Sequence, residues 1–184
     1  MIRLIRSAQP RADCELWTDT YTDAWPELSV TRKVQISGDL GLKMLHAAQS
    51  ALSGGATSVV ILGADSPTLP PAHLSDLMDS ASDVALGPAE DGGYWGIAIS
   101  RVHPAMFRDV PWSTAATLEA TRQACVKAGL TVGLGRLWYD VDSPADLQRL
   151  RADAAAESAV GQWLAASVVS RNQVDGCFQT KTTP

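Results

Sequence analysis

The apolar run Val59-Val60-Ile61-Leu62 constrains this chain most. Ser58 and Gly63 bound it, and no polar residue interrupts it. A short uniform run between turn residues reads as a strand buried on both faces, the habit of parallel sheets. The flanking sequence supports that class. Glu15–Thr18 and Val30–Ile36 have strand patterns. Gly38–Leu52 has helical spacing through Met44, Leu45, Ala48 and Leu52, and Gly54-Gly55 stops it. Pro70-Pro71 opens a helix carrying Leu74, Leu77 and Met78. Asp83–Leu86 and Tyr94–Ile99 read as strands, Thr114–Ala128 as a helix and Leu130–Leu137 as a strand. Ser143-Pro144-Ala145-Asp146 starts a last helix that runs to about Ala156. Strands alternating with helices predict a three-layer α/β/α sandwich around a mostly parallel sheet. Residues 1–156 form the expected domain. Residues 157–184 form an extension that is partly helical and then a loose tail from Ser167.

Composition excludes several classes. Of 184 residues, 46% are hydrophobic and 19% charged, which is globular and not disordered. The formal net charge of −5 argues against a nucleic-acid-coating surface. No stretch approaches the roughly 20 apolar residues of a membrane helix. The apolar start of the chain is too short for a signal peptide. The expected location is cytoplasmic, with no nucleic acid and no membrane as partner. Cys14, Cys125 and Cys177 lack metal spacing, so a structural zinc site is not expected. His46, His73 and His103 are scattered and read as surface or helix-flank residues. The patterns GxGxxG, GxxxxGK[ST] and GxSxG are absent.

In a parallel sheet, ligands sit beyond the carboxyl ends of the strands. Three segments fall there. Leu62-Gly63-Ala64-Asp65-Ser66-Pro67 delivers Asp65 to a strand end, where it either holds a hard cation or caps the next turn. Asp140-Val141-Asp142-Ser143-Pro144 puts Asp140 and Asp142 on one side of an extended segment, where Asp142 is a ligand or a cap. Glu90-Asp91-Gly92-Gly93-Tyr94-Trp95 makes a tight loop re-entering a strand. Glu90 or Asp91 is suited to accept a proton or bind sugar hydroxyls. Tyr94 and Trp95 either wall a ligand or pack in the core, and strand alternation sends them to opposite faces.

Five segments in order resemble a bacterial family of GT-A-type nucleotide-diphospho-sugar transferases, some named as arsenosugar-biosynthesis glycosyltransferase-like proteins. They are Gln35–Gly41, Gly63–Pro67, Gly87–Tyr94, Val110–Thr114 and Asp140–Leu147, and the resemblance spans roughly residues 12–151. It implies a nucleotide-binding α/β sandwich with Mg²⁺ or Mn²⁺. Asp65 and Asp142 match metal ligands. Gln35, Gly38 and Asp39 match the nucleotide site. The loop from Glu90 to Tyr94, with Gly92, Gly93 and Tyr94, matches the part that faces sugar or acceptor, and Asp91, with Glu90 beside it, is the candidate catalytic base. The family opens with an apolar strand and a basic loop of the pattern Pro-Gly-x-x-Lys-Thr-Arg. Arg3, Arg6 and Arg11 do not reproduce it, so the expected fold is an N-terminally truncated version. The open sheet edge that this leaves favours a homodimer. Leu42-Lys43 stands where the family more often has Glu-Arg.

Three functions follow from this reading. The first is transfer of sugar from a nucleotide diphospho-sugar donor to a small-molecule acceptor. The second is nucleotidyl transfer from a nucleoside triphosphate to a small phosphorylated acid. The third is an inactive binding or interaction module. Loss of the basic loop weakens the triphosphate reading most.

Overall fold

The computed structural model describes residues 5, 6, 8, 12–24, 26, 27, 29–156 and 158–166. The chain divides into two compact units, 1–140 and 141–184. The loose tail expected from Ser167 lies outside the described residues.

The first unit holds two sheets among the described residues. Strands β1 (Glu15–Thr18) and β2 (Thr31–Val34) pair in parallel, with Leu16 opposite Arg32 and Trp17 opposite Lys33. Lys33 Nζ meets Glu15 Oε1 at 2.7 Å across this ladder. The second sheet contains β3 (Val59–Leu62), β4 (Val84–Pro88), β5 (Tyr94–Ile99) and β6 (Val132–Leu134) in the order β3-β5-β4-β6. Strand β5 is antiparallel to both β3 and β4, and β6 is parallel to β4. So β3, β4 and β6 share one direction, and β5 is a hairpin partner inserted against them. The turn through Gly92 and Gly93 produces this. It is far too short for the crossover that a parallel pair requires.

Both faces of the second sheet are covered. Helix α1 (Leu40–Ser53), the 3₁₀ turn Pro104–Phe107 and α3 (Thr117–Lys127) supply Met44, Ala48, Met106, Phe107 and Cys125 to one core. There they meet Val84 and Leu86 of β4 and Ile97 and Ile99 of β5. Helix α2 (Pro71–Met78) closes the other face, where Leu69 and Leu77 pack with Ala85, Trp95 and Ala98. The expected α/β/α layering is thus present. A register shift in β5 explains how both tyrosine and tryptophan become core residues. Gly87 pairs with Gly96 but Pro88 pairs with Tyr94, so Trp95 is the extra residue of a bulge. Tyr94 falls on the α1/α3 face, and Trp95 is 1% exposed on the α2 face.

Three local readings are corrected. Strand β3 is at an edge of its sheet, and all four of its residues are only half-buried. A uniform apolar run shows that both faces are covered to some degree, but not that both edges are paired. The strand expected over Leu130–Leu137 has regular pairing only at Val132–Leu134, followed by an isolated bridge between Ala89 and Trp138. The Pro104–Phe107 turn has no counterpart in the sequence reading.

Helix ends follow local chemistry. Asp39 caps α1, its carboxylate accepting from Leu42 N at 2.8 Å. In the second unit α4 (Pro144–Asp153) begins with a reciprocal capping box between Ser143 and Asp146. Leu150 and Leu164 are buried. No described helix is long and apolar enough to cross a membrane.

Candidate active site at the carboxyl ends of the strands

Because β3, β4 and β6 run the same way, their carboxyl ends lie along one edge of the sheet. The β4–β5 turn lies at that edge too. Three acid-bearing segments therefore gather there: Gly63–Pro67 after β3, Ala89–Gly93 between β4 and β5, and Arg136–Asp140 after β6.

The Gly63–Pro67 segment is built around a glycine and a buried serine. Gly63 N donates to Trp95 O at 3.1 Å, extending the β3–β5 ladder by one step. A Cβ at residue 63 would lie 2.5 Å from Asp65 Oδ1, so the carboxylate folds back over the glycine. Asp65 is exposed, whereas the next residue, Ser66, is 1% exposed. The Ser66 hydroxyl donates a hydrogen bond to Asp140 Oδ1.

Asp140 reaches Ser66 because the segment after β6 turns across the end of the sheet. Strands β3 and β6 are the outermost two, so this path spans about 14 Å of sheet width. Its residues are pinned to the α2 region in reverse order. Arg136 Nε pairs with Asp76 Oδ2 at 2.8 Å. The His73 imidazole hydrogen-bonds the Leu137 backbone. Trp138 stacks edge-on to His73 at 5.2 Å between ring centroids. Thr68 Oγ1 and Tyr139 Oη are 3.0 Å apart. The other side of the strap is held by β4 and its loop: Trp138 N donates to Pro88 O at 3.0 Å, and Glu90 N to Trp138 O at 3.1 Å. Among the described residues, His73 Nδ1 and Trp138 Nε1 are buried without a hydrogen-bond partner. Burial, and then the nearby Arg136 guanidinium, push the His73 imidazole below its ordinary pKa.

The Ala89–Gly93 turn spends the amides of Ala89, Gly92 and Gly93 internally. Ala89 N donates to Gly93 O at 3.0 Å, and Gly92 N to Ala89 O at 3.2 Å. Gly93 N donates to Asp91 Oδ1 at 2.8 Å, an Asx turn. Gly92 has φ +89°, and a Cβ there would meet Ala115 O at 2.3 Å. Its carbonyl accepts from Leu118 N at 2.9 Å, which locks the turn to the start of α3. Glu90 and Asp91 are exposed. Tyr94 points away from this edge. Its hydroxyl lies 4.0 Å from Met44 Sδ and bonds Thr121, and burial drives its pKa well above the ordinary value.

The Gln35–Asp39 segment follows β2. Gln35 N donates to Thr18 O at 2.8 Å, extending the β1–β2 ladder. Gly38 has φ +132° and packs on Leu42, and Asp39 is the α1 cap. A loop, Trp112–Ala115, connects the first turn of α1 to the Gly92 turn. Trp112 crosses Gly41 so closely that a Cβ there would lie 2.8 Å from its ring. Three residues on, Ala115 meets Gly92. Ser113 sits at φ +58° between these contacts. Val110–Thr114, one of the five resemblance segments, supplies both a packing ring and a turn hydroxyl here. Trp112 packs, and Thr114 Oγ1 accepts from Ala116 N at 3.2 Å.

Asp142 belongs to the second unit. There its backbone N–H donates to Asp146 Oδ2 at 3.3 Å, beside the capping box. Among the described residues no group of three or more His, Cys, Asp or Glu side chains is placed to hold a metal ion. An all-protein cage is therefore not what this edge offers. One or two oxygen donors suit Mg²⁺ or Mn²⁺ arriving with a diphosphate, since such ions keep several waters and take their remaining ligands from phosphate. The exposed carboxylate of Asp65 fits that need. The Ser66–Asp140 pair is the part of the site that the sequence reading missed. Its signal was a hydroxyl directly after the strand-end acid, in a segment that otherwise favours solvent.

Residues 5–114 match a family described as "uncharacterized protein conserved in bacteria (DUF2064)". No curated protein matches the chain in sequence. Among solved structures, the fold is similar to the crystal structure of a candidate nucleotide-diphospho-sugar transferase from Desulfovibrio desulfuricans G20. The TM-score is 0.76 at 25% identity, over 94% of this chain and 82% of that one. It is also similar to CMP:2-keto-3-deoxy-manno-octonic acid synthetase complexed with CTP. There the TM-score is 0.54 at 14% identity, over 82% of this chain and 86% of that one, a likeness of fold alone.

Proposed function

The chain belongs to the DUF2064 family, and from that premise we propose that it binds a nucleotide diphospho-sugar and transfers the sugar to a small acceptor. One observation carries this reading. The exposed Asp65 stands at the strand-end edge together with the Glu90–Asp91 turn, and Asp140 is tied to the residue beside it. The likeness to the Desulfovibrio structure, which covers 94% of this chain, supports this choice of donor class.

Asp65 would hold Mg²⁺ or Mn²⁺ against the diphosphate. The ion supplies positive charge to offset what develops on the leaving group. The chain's own residues do the rest. Gly63 leaves the room that lets the Asp65 carboxylate fold over the backbone. The loop Trp112 to Ala115 joins the first turn of α1, which follows the Gln35–Asp39 segment, to the acid turn. A carboxylate of that turn, Glu90 or Asp91, takes the acceptor hydroxyl's proton. Asp91 also holds the turn's shape through Gly93 N, so Gly92 and Gly93 act here by backbone form.

Calorimetric titration with uridine and guanosine diphospho-sugars, with and without Mn²⁺, tests this reading. Binding that needs Mn²⁺ and is lost in Asp65→Ala, at an unchanged unfolding midpoint, is the expected result. Absence of binding in the folded chain overturns it. Tighter binding of nucleoside triphosphates than of diphospho-sugars would move the assignment to nucleotidyl transfer.

A further inference from the structure

We propose that Asp140 is the positioning residue of the Asp65 loop. By accepting from the Ser66 hydroxyl it fixes the direction in which Asp65 leaves the end of β3. This inference rests on the reading of Asp65 given above, and it assigns Asp140 a role through another residue and not as a ligand itself.

Three features of the geometry lead there. First, Ser66 is 1% exposed, so its hydroxyl is removed from water and its hydrogen bond is costly to break. The acceptor is a carboxylate, which makes the bond charge-assisted. Second, Ser66 is bonded in chain to Asp65. Fixing one residue fixes the backbone angles that aim the other. Asp65 itself is exposed, so burial does not hold it in place. Third, Asp140 is itself held. It ends the Arg136–Asp140 strap, whose preceding residues are pinned to α2 and to β4 by the contacts at Asp76, His73, Thr68 and Pro88. The strap transmits the rigidity of the α2 face to the loop beyond β3. Without it, that loop would hang from an edge strand that is only half-buried.

The test uses Mn²⁺ alone as the probe, on the full chain, with Ser66→Ala, Asp140→Ala, Asp140→Asn and the double variant Ser66→Ala/Asp140→Ala. Asparagine keeps the oxygen that accepts from Ser66 but loses the charge. Positioning predicts a Mn²⁺ Kd about 10-fold weaker in each alanine variant, the size seen for residues that orient a metal ligand. The double variant should be no weaker than either single one, because both delete the same bond. Asp140→Asn should remain within about threefold of the parent. Loss of binding in Asp140→Asn as large as in Asp140→Ala, with Ser66→Ala unaffected, makes Asp140 a ligand and overturns the proposal. Unchanged affinity in all variants also overturns it.

Should the parent bind no Mn²⁺, the transferase reading fails and positioning is judged by amide hydrogen exchange. Ser66→Ala and Asp140→Ala should then raise exchange at Asp65 and Ser66 about 10-fold or more, with Asp140→Asn leaving it at the parent rate. Equal exchange in all variants overturns it.

Discussion

Of the three acid-bearing segments at the carboxyl edge of the sheet, Gly63–Pro67 and Ala89–Gly93 are built on opposite plans. The Gly63–Pro67 segment keeps its acid outward and buries the neighbouring hydroxyl; its anchor, Asp140, comes from 74 residues away. The Ala89–Gly93 turn is anchored from within. The amides of Ala89, Gly92 and Gly93 and one Asp91 oxygen serve the turn, while Glu90 N and the Gly92 carbonyl tie it to the strap and to α3, and the residues that follow sink into the two cores. The first segment presents chemistry on a borrowed support. The second is architecture that carries acids on its rim. A pair of carboxylates in sequence is therefore weak evidence of a catalytic pair until the partners of each are known.

The contrast breaks first at Trp95. Removing this ring by Trp95→Ala should cost about 4 kcal/mol, the usual range for a buried aromatic, and denaturant unfolding would measure it. A loss under about 1 kcal/mol would mean the turn side is not structural. Gly92→Ala should come next, at about 3 kcal/mol, because it combines a strained φ with a backbone collision at Ala115.

Asp91→Ala should cost about 1 kcal/mol through loss of its bond to Gly93, and Asp91→Asn should restore most of it. On the other segment, Asp65→Ala should leave stability within about 0.5 kcal/mol, since the side chain is exposed. Its effect should fall on ligand binding. Tyr94→Phe sharpens the same point from the turn side. It should leave diphospho-sugar binding unchanged, because the hydroxyl faces Met44 and Thr121. A drop in affinity would return Tyr94 to the site.

The smallest effect is expected at the opposite end of the sheet. There Asp83 Oδ2 accepts from Thr131 N at 2.8 Å and from Thr131 Oγ1 at 2.9 Å. These bonds, chiefly the backbone one, and the more distant Arg101 lower the Asp83 pKa from 3.8. A depressed carboxylate contributes stability that is full above the unfolded pKa and is lost as pH falls through the folded one. Melting temperature should therefore fall below about pH 4 less steeply in Asp83→Asn than in the parent. Equal slopes would remove Asp83 from the acid limb.

Much of the fold was legible because it is written in local patterns. The strand at Val59–Leu62, the Asp39 and Ser143 helix starts and the glycine stop after Ser53 each depend on residues within a turn of one another. Strand alternation also foretold that Tyr94 and Trp95 would part, although the bulge that places both in cores was not visible. The site was legible only as candidates. Asp65 stands out at a strand end, but its support could not be read, because a hydrogen bond between Ser66 and Asp140 has no sequence period. The same limit hid the edge position of β3. Apolar character reports the faces of a strand, whereas pairing at its edges depends on which other strand arrives.

By itself the sequence determined the alternating α/β pattern, the helix caps, the turn glycines and the acids that follow strands. All of these arise from side-chain periodicity and from backbone preferences acting over a few residues. The tertiary structure alone decided that β5 is antiparallel between β3 and β4, that Glu90 N of the Asp91 turn reaches Trp138 O, and that the strap ending in Asp140 crosses the sheet to hold Ser66. These are choices of partner between distant segments. They are settled by burying two faces and satisfying the polar groups trapped between them, a condition that only the assembled chain imposes.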